Sequence, residues 1–321
     1  MKRIIIVTAV IFCIFLEAKP VYYDDVNKML FELYSQRYDK ASALAESTGV
    51  KYQKTIISDF LKAGIFSTYM SDFETDTLWD SLKKYSEKVI KNHDPKSAYE
   101  VFFAGGAYLY RTYFYVWRND YNNTITNAMN ALKYFNRSIS LDEKLYDGYL
   151  GRGIVNYFIN KFKDKVPFLS SSGDGIKEIE LAADSGLFTK IPAMDVLAML
   201  YSMDGKEEES ESISVYLREK WPENRMFMFT HIKALLSSNQ NKKAAVELEN
   251  LKENLELNQR KTYVNLAFVY YNLSEVYYRM NEYENCRENL LKLKKLKLLT
   301  KEKRVMKWVK KGDDLQKKIK E

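Results

Sequence analysis

Cysteine, histidine, proline and glycine are all scarce in this chain, and each shortage excludes something. Its 321 residues hold 2 Cys, 2 His, 5 Pro and 12 Gly. So few breakers argue against an all-β fold, which needs a turn every few residues. The two histidines, His93 and His231, are far apart, and neither has a second good ligand at helical metal spacing, so no zinc-type cluster is expected. Long apolar runs are also missing. The longest, from Ile4 to Leu16, is shorter than the roughly 20 residues a helix needs to span a bilayer.

That run still carries information. Lys2 and Arg3 precede it and Glu17-Ala18 follow, the layout of a secretory signal peptide covering residues 1–18 and cleaved near Ala18. An uncleaved N-terminal anchor is the alternative. Cleavage removes Lys2, Arg3, Glu17 and Cys13, leaving 48 cationic against 42 anionic side chains and lowering the net charge from +7 to +6. Only Cys286 then remains, so no internal disulfide can form in an exported, oxidising setting.

What the chain does have is a 34-residue echo. Gly205, Ser210, Leu217 and Pro222 are followed at that offset by Asn239, Ala244, Leu251 and Glu256. Small residues where helices cross, then apolar residues, then a stop predict stacked helix pairs. Ahead of Ser210, Met194, Leu197, Ala198 and Tyr201 share one face of a first helix. Met228, His231, Ile232 and Leu235 take those places in the next unit. A third copy has Tyr270, Leu273, Ser274 and Tyr277 before Asn281, Cys286, Leu290 and Leu293. Its spacing from Ala244 to Cys286 is 42, which requires about two extra helical turns between them. A fourth second helix contains Ala131, Phe135 and Ser138. On this register Cys286 and His231 are packing residues, and most of the 25 tyrosines are wedges between helices.

The units resemble tetratricopeptide repeats, and residues 131–143 look like the second helix of one almost throughout. Residues 97–240 are also similar to a poorly characterised group of exported bacterial tetratricopeptide proteins, through FAGGAYLYR at 103–111, YLGRGIVNY at 149–157 and GDGIKEI at 173–179. The resemblance implies an all-α, right-handed superhelical solenoid of antiparallel helix pairs. It also implies a concave face built from first helices, and nominates Asp195, Met199, Phe229, Lys233, Tyr271, Glu275, Tyr278 and Arg279 as its lining. Such a mixed apolar and charged surface suits a protein or peptide segment.

Other motifs reduce to structure. Gly105-Gly106 lacks the Lys-Ser/Thr of a phosphate loop and reads as a close helix crossing. Asp174 reads as the cap of a helix starting near Gly175. No paired acid and base is evident, so neither an enzyme nor a cofactor is expected. Four segments are delimited: the signal peptide, degenerate repeats over 21–95, repeats over 97–300 with a Pro-bearing insertion at 161–173, and a basic C-terminal helix over 301–321. That helix carries Val305, Trp308, Val309 and Leu315 at helical spacing, so it can cap the last repeat. It could alternatively attach the protein to an anionic membrane surface, which would make it a structural component of the envelope. Nucleic acid is not an expected partner.

Overall fold

The computed structural model describes residues 19–164, 169–171, 173–257 and 262–319. The expected signal segment and part of the 161–173 insertion lie outside these. Among the described residues there are fifteen helices and no strand: α1 (Tyr23–Tyr34), α2 (Tyr38–Lys51), α3 (Thr55–Phe73), α4 (Trp79–Asn92), α5 (Ala98–Trp117), α6 (Tyr121–Leu141), α7 (Tyr146–Lys161), α8 (Gly175–Ser185), α9 (Lys190–Met203), α10 (Glu207–Lys220), α11 (Arg225–Ser237), α12 (Asn241–Leu257), α13 (Tyr263–Arg279), α14 (Tyr283–Leu299) and α15 (Lys303–Lys318). Each odd-numbered helix packs on the even one after it, and α15 closes the array against both α13 and α14. The result is seven helix pairs and a terminal cap.

The 34-residue echo has a backbone cause. Gly205 and Asn239, equivalent positions in successive units, both have positive φ, +74° and +55°. Asn281 (+62°), Asn119 (+56°), Gln36 (+56°) and Glu74 (+49°) have positive φ where other first helices end. A left-handed residue there turns the chain back on itself, and Gly and Asn tolerate that conformation best. The α7–α8 connection is built differently, because the insertion replaces the short turn. The second signature is the small residue on each second helix. Ala131, Ser210, Ala244 and Cys286 are all fully buried, and Ser210 Oγ donates 2.7 Å to the Ala198 carbonyl of the helix it crosses. The 42-residue spacing is also accounted for: α12 and α13 have 17 residues each, against 14 and 13 in α10 and α11.

His231 is buried and shares a 3.0 Å hydrogen bond with Ser214 Oγ. Burial pushes the Cys286 thiol up to about 11, so little thiolate exists at neutral pH. We expect Cys286 to resist a maleimide probe in the folded protein and to react readily in denaturant; rapid labelling under native conditions would mean that the last pair opens.

Tyrosines join helices by their hydroxyls as well as their rings. Tyr157 donates to Asp204 at 2.9 Å, Tyr270 to Glu256 at 2.7 Å and Tyr277 to Glu249 at 3.1 Å. Asp147, buried in α7, accepts the Phe188 and Thr189 amides (2.8 and 2.9 Å) and the Thr189 hydroxyl, which fixes the start of α9. Asp174 caps α8 by accepting from the Lys177 amide.

Candidate functional site

A repeat array packs mainly neighbour on neighbour. This chain also packs its first units against its last. Phe188, before α9, stacks on Tyr22 at 6.2 Å. The Asn224 amide group donates 2.7 Å to the Tyr34 carbonyl, and the Tyr34 ring stands against Trp221 at 5.4 Å. Deeper in, the Arg225 guanidinium grips both oxygens of Asp72, which also accepts the Tyr38 hydroxyl at 2.8 Å; Asn265 of α13 donates to the Asp72 carbonyl at 2.8 Å. Glu74 accepts from Trp117 Nε1 at 2.7 Å and from Arg304 of α15, whose guanidinium lies 4.1 Å from the centre of the Trp117 ring. The C-terminal ends of α1, α3 and α5 therefore meet the N-terminal ends of α11, α13 and α15.

These contacts bound an inner surface. Tyr113 of α5 is 50% exposed, yet its hydroxyl is pushed up by burial and by the charges of Glu74 and Asp195, and pulled back by Arg304. Those groups belong to three other units, so the hydroxyl feels charges from beyond its own helix pair. Lys233 is exposed, and its charge acts on both Asp195 and Glu74. Between the ends of α3 and α5 there is a narrow crevice with about 10 Å³ of free volume, room for about one water, whose lining includes Ser67, Ser71, Glu74, Tyr110, Tyr113 and Trp117. That is below the size usual for a small-molecule site.

The eight residues nominated from sequence fall into two groups. Asp195, Met199, Phe229 and Lys233 are on α9 and α11. Asp195 accepts the Thr230 hydroxyl at 2.7 Å, Met199 is partly buried in the α7–α10 core, and Phe229 stands edge-on to Phe268 at 5.2 Å. The other four are on α13. Tyr271 packs against Trp308 at 5.2 Å, so α15 lies over it. Glu275 pairs with Arg279, Tyr278 packs edge-on to Tyr283 at 6.0 Å, and Arg279 reaches Asn239 Oδ1 at 3.5 Å. The structure adds Tyr113, Glu74 and Arg304 from the far units, which no repeat register could have nominated.

Asp195 is the titratable group of this surface with the clearest signature. Burial raises its carboxyl to about 6, against the opposing effects of the Thr230 hydrogen bond and the Lys233 charge. Between the unfolded value near 4 and about 6, the folded state binds more protons than the unfolded state, so this residue makes stability fall as pH rises through that window. Asp195→Asn should therefore be more stable than wild type at pH 7, with the advantage shrinking by pH 4. Urea midpoints at the two pH values measure it, and an equal shift at both would contradict the assignment.

No family model matches the sequence, and no curated protein matches it significantly. Solved structures do match. Over 84% of its length the chain superimposes on a chain of the APC/C hetero-tetramer Cut9-Hcn1, at a TM-score of 0.58 and 13% identity. It spans 45% of that chain, under half its length. The chain has the tetratricopeptide-repeat fold. A tetratricopeptide repeat protein from Parabacteroides merdae aligns over 91% of this chain and 98% of its own, at 13% identity and a TM-score of 0.46. PilW, a type IV pilus biogenesis factor, aligns over 90% and 99%, at 12% identity and a TM-score of 0.33. In the tetratricopeptide-repeat frame the odd-numbered helices are first helices, and the inner surface described above is built from them. Among the described residues no group of three His, Cys, Asp or Glu is placed to hold a metal ion, and no helix is long and apolar enough to cross a membrane.

Proposed function

We propose that the protein is a non-catalytic scaffold of the cell envelope that holds a protein or peptide segment on the concave face formed by its first helices. The observation carrying this reading is the exposure of Tyr113 and Lys233, two first-helix side chains from distant units that both couple electrostatically to Glu74 and Asp195. An aromatic anchor beside charges of both signs fits an extended segment with one apolar and one or more polar contacts. Phe229 and Tyr271 brace the same helices by packing on Phe268 and Trp308. The array has the fold of known protein-binding repeats, which supports the partner class and leaves its identity open.

Export is part of the reading. It is supported by Lys2 and Arg3 ahead of the apolar run 4–16 and by Ala18 at its end. A mature N-terminus at Lys19 is the expected result of sequencing the native protein, and a retained Met1 would replace cleavage by anchoring.

A photo-crosslinking side chain placed at Tyr113, and in a separate protein at Tyr216 on the second helix α10, tests the groove in the native host. Tyr216 is 38% exposed, so both probes reach solvent. A product specific to position 113, and weakened by Lys233→Glu, is expected. The same products from both positions would overturn the groove assignment.

A further inference from the structure

The basic C-terminal region has two faces, and the structure separates them. From residue 291 to 319 there are twelve Lys or Arg and three Asp or Glu. On α15 the apolar side chains are already in use: Val305, Val309 and Leu315 are buried, and Trp308 rests on Tyr271 and Phe268. A membrane contact through the apolar face of α15 would require that helix to leave α13 and α14.

The helix before it is different. α14 buries Cys286, Asn289, Leu290, Leu293 and Leu296, and this leaves the opposite side outward. On that side Arg287, Leu291, Lys294, Lys295 and Leu298 recur at intervals of three and four, all exposed, with Leu291 at 55% and Leu298 at 85%. Leu299, next to Leu298 at the end of the helix, is 60% exposed. Lys294 and Lys295 make no ion pair among the described residues. Surface leucines occurring singly need no explanation. Leucines on one stripe, with unpaired cations between them, do.

We propose that this outer ridge of α14 docks on an anionic phospholipid surface, with Leu291 and Leu298 entering the headgroup boundary and Lys294 and Lys295 contacting the lipid charges. The ridge is the outward side of a single helix, so it offers no groove for a partner's side chains, whereas a soft planar interface accepts it along its length. Lysine stems can lie along the apolar boundary while their ammonium groups stay at the headgroups. The lysines of α15, including exposed Lys303, Lys307 and Lys310, extend the positive field around the ridge. This reading is independent of the proposed groove, none of whose nominated residues is on α14.

Flotation of the full chain with vesicles of phosphatidylcholine alone, or with a fraction of phosphatidylglycerol, tests the proposal at low and high salt. We expect binding to the anionic vesicles only, weakened by salt, and reduced about thirtyfold by Lys294→Ala with Lys295→Ala. Leu291→Ser with Leu298→Ser should reduce it about tenfold at unchanged helicity, since both sites are exposed. In Leu298→Trp, tryptophan emission should shift blue on those vesicles. Binding through the apolar run 4–16 would ignore lipid charge and all four substitutions, and that outcome overturns the proposal. So does retention on polyglutamate that is indifferent to the leucines, which would assign the ridge to an acidic polypeptide.

Discussion

Arg225→Ala is expected to destabilise the protein by about 3–5 kcal/mol, because it leaves the Asp72 carboxylate buried without its counter-charge. The Asp72 side chain has no exposed surface and that of Arg225 is 8% exposed, so water cannot replace the lost partner without opening the structure. Asp72 would keep the Tyr38 hydroxyl, one neutral donor in place of a bidentate guanidinium. Arg225 also reaches Asn254 Oδ1 at 3.3 Å and lies 5.0 Å from the centre of the Phe73 ring. Its removal therefore loosens the first units, α12 and the start of α11 together. The size of the effect comes from stranding a charge, not from the intrinsic strength of the pair. Accordingly Arg225→Met combined with Asp72→Leu should recover most of the loss, since an apolar pair of similar volume replaces both charges. Urea unfolding of the two single variants and the double gives the coupling. A loss of under about 1 kcal/mol for Arg225→Ala would mean that the first and last units are not joined in solution.

That pair also marks the limit of what the sequence makes legible. Within a unit, the physical causes are local: a left-handed residue at 205, 239 and 281, a small residue at 131, 210, 244 and 286, and apolar residues one helical turn apart. Each leaves a periodic trace, so the helix pairs, the burial of His231 and Cys286 and the extra turns in α12 and α13 can all be read from the sequence. The closing contacts leave no such trace. Asp72 and Arg225 are 153 positions apart, and Glu74 and Arg304 are 230 apart. A single carboxylate near the end of an apolar helix looks like a solvated residue until the superhelix brings its partner round. The same limit applies to the site. The resemblance nominates Asp195 and Lys233 from first-helix positions, and the structure brings their charges within reach of each other. The resemblance cannot nominate Tyr113, Glu74 or Arg304 beside them, because that depends on how far the array curls. The α15 periodicity predicts a cap and the structure has one, while the outward leucines of α14 are hidden in sequence by the lysines around them.

The second large effect is centred on Phe135, where the small-and-large pattern of the repeat is tightest. Its ring is 1% exposed and lies between two glycines of neighbouring first helices, Gly105 of α5 and Gly151 of α7. A Cβ added at Gly151 would come within 2.1 Å of the ring, and one at Gly105 within 2.9 Å, so the backbones of both helices approach the ring as only glycine allows. Phe135→Ala should cost about 3–5 kcal/mol, near the upper end because two rigid helices cannot collapse into the space. Gly151→Ala should cost about 1–3 kcal/mol by overpacking, reduced somewhat by the better helix propensity of alanine. The two losses should not add. With Phe135→Leu the smaller side chain leaves room for the methyl group at 151, so the double variant Phe135→Leu/Gly151→Ala should be more stable than the sum of its singles predicts by about 1 kcal/mol or more. Denaturant midpoints across this cycle measure the coupling. Strict additivity would show that α6 and α7 part at this crossing in solution, and with it the register on which every later unit, including the inner surface, depends.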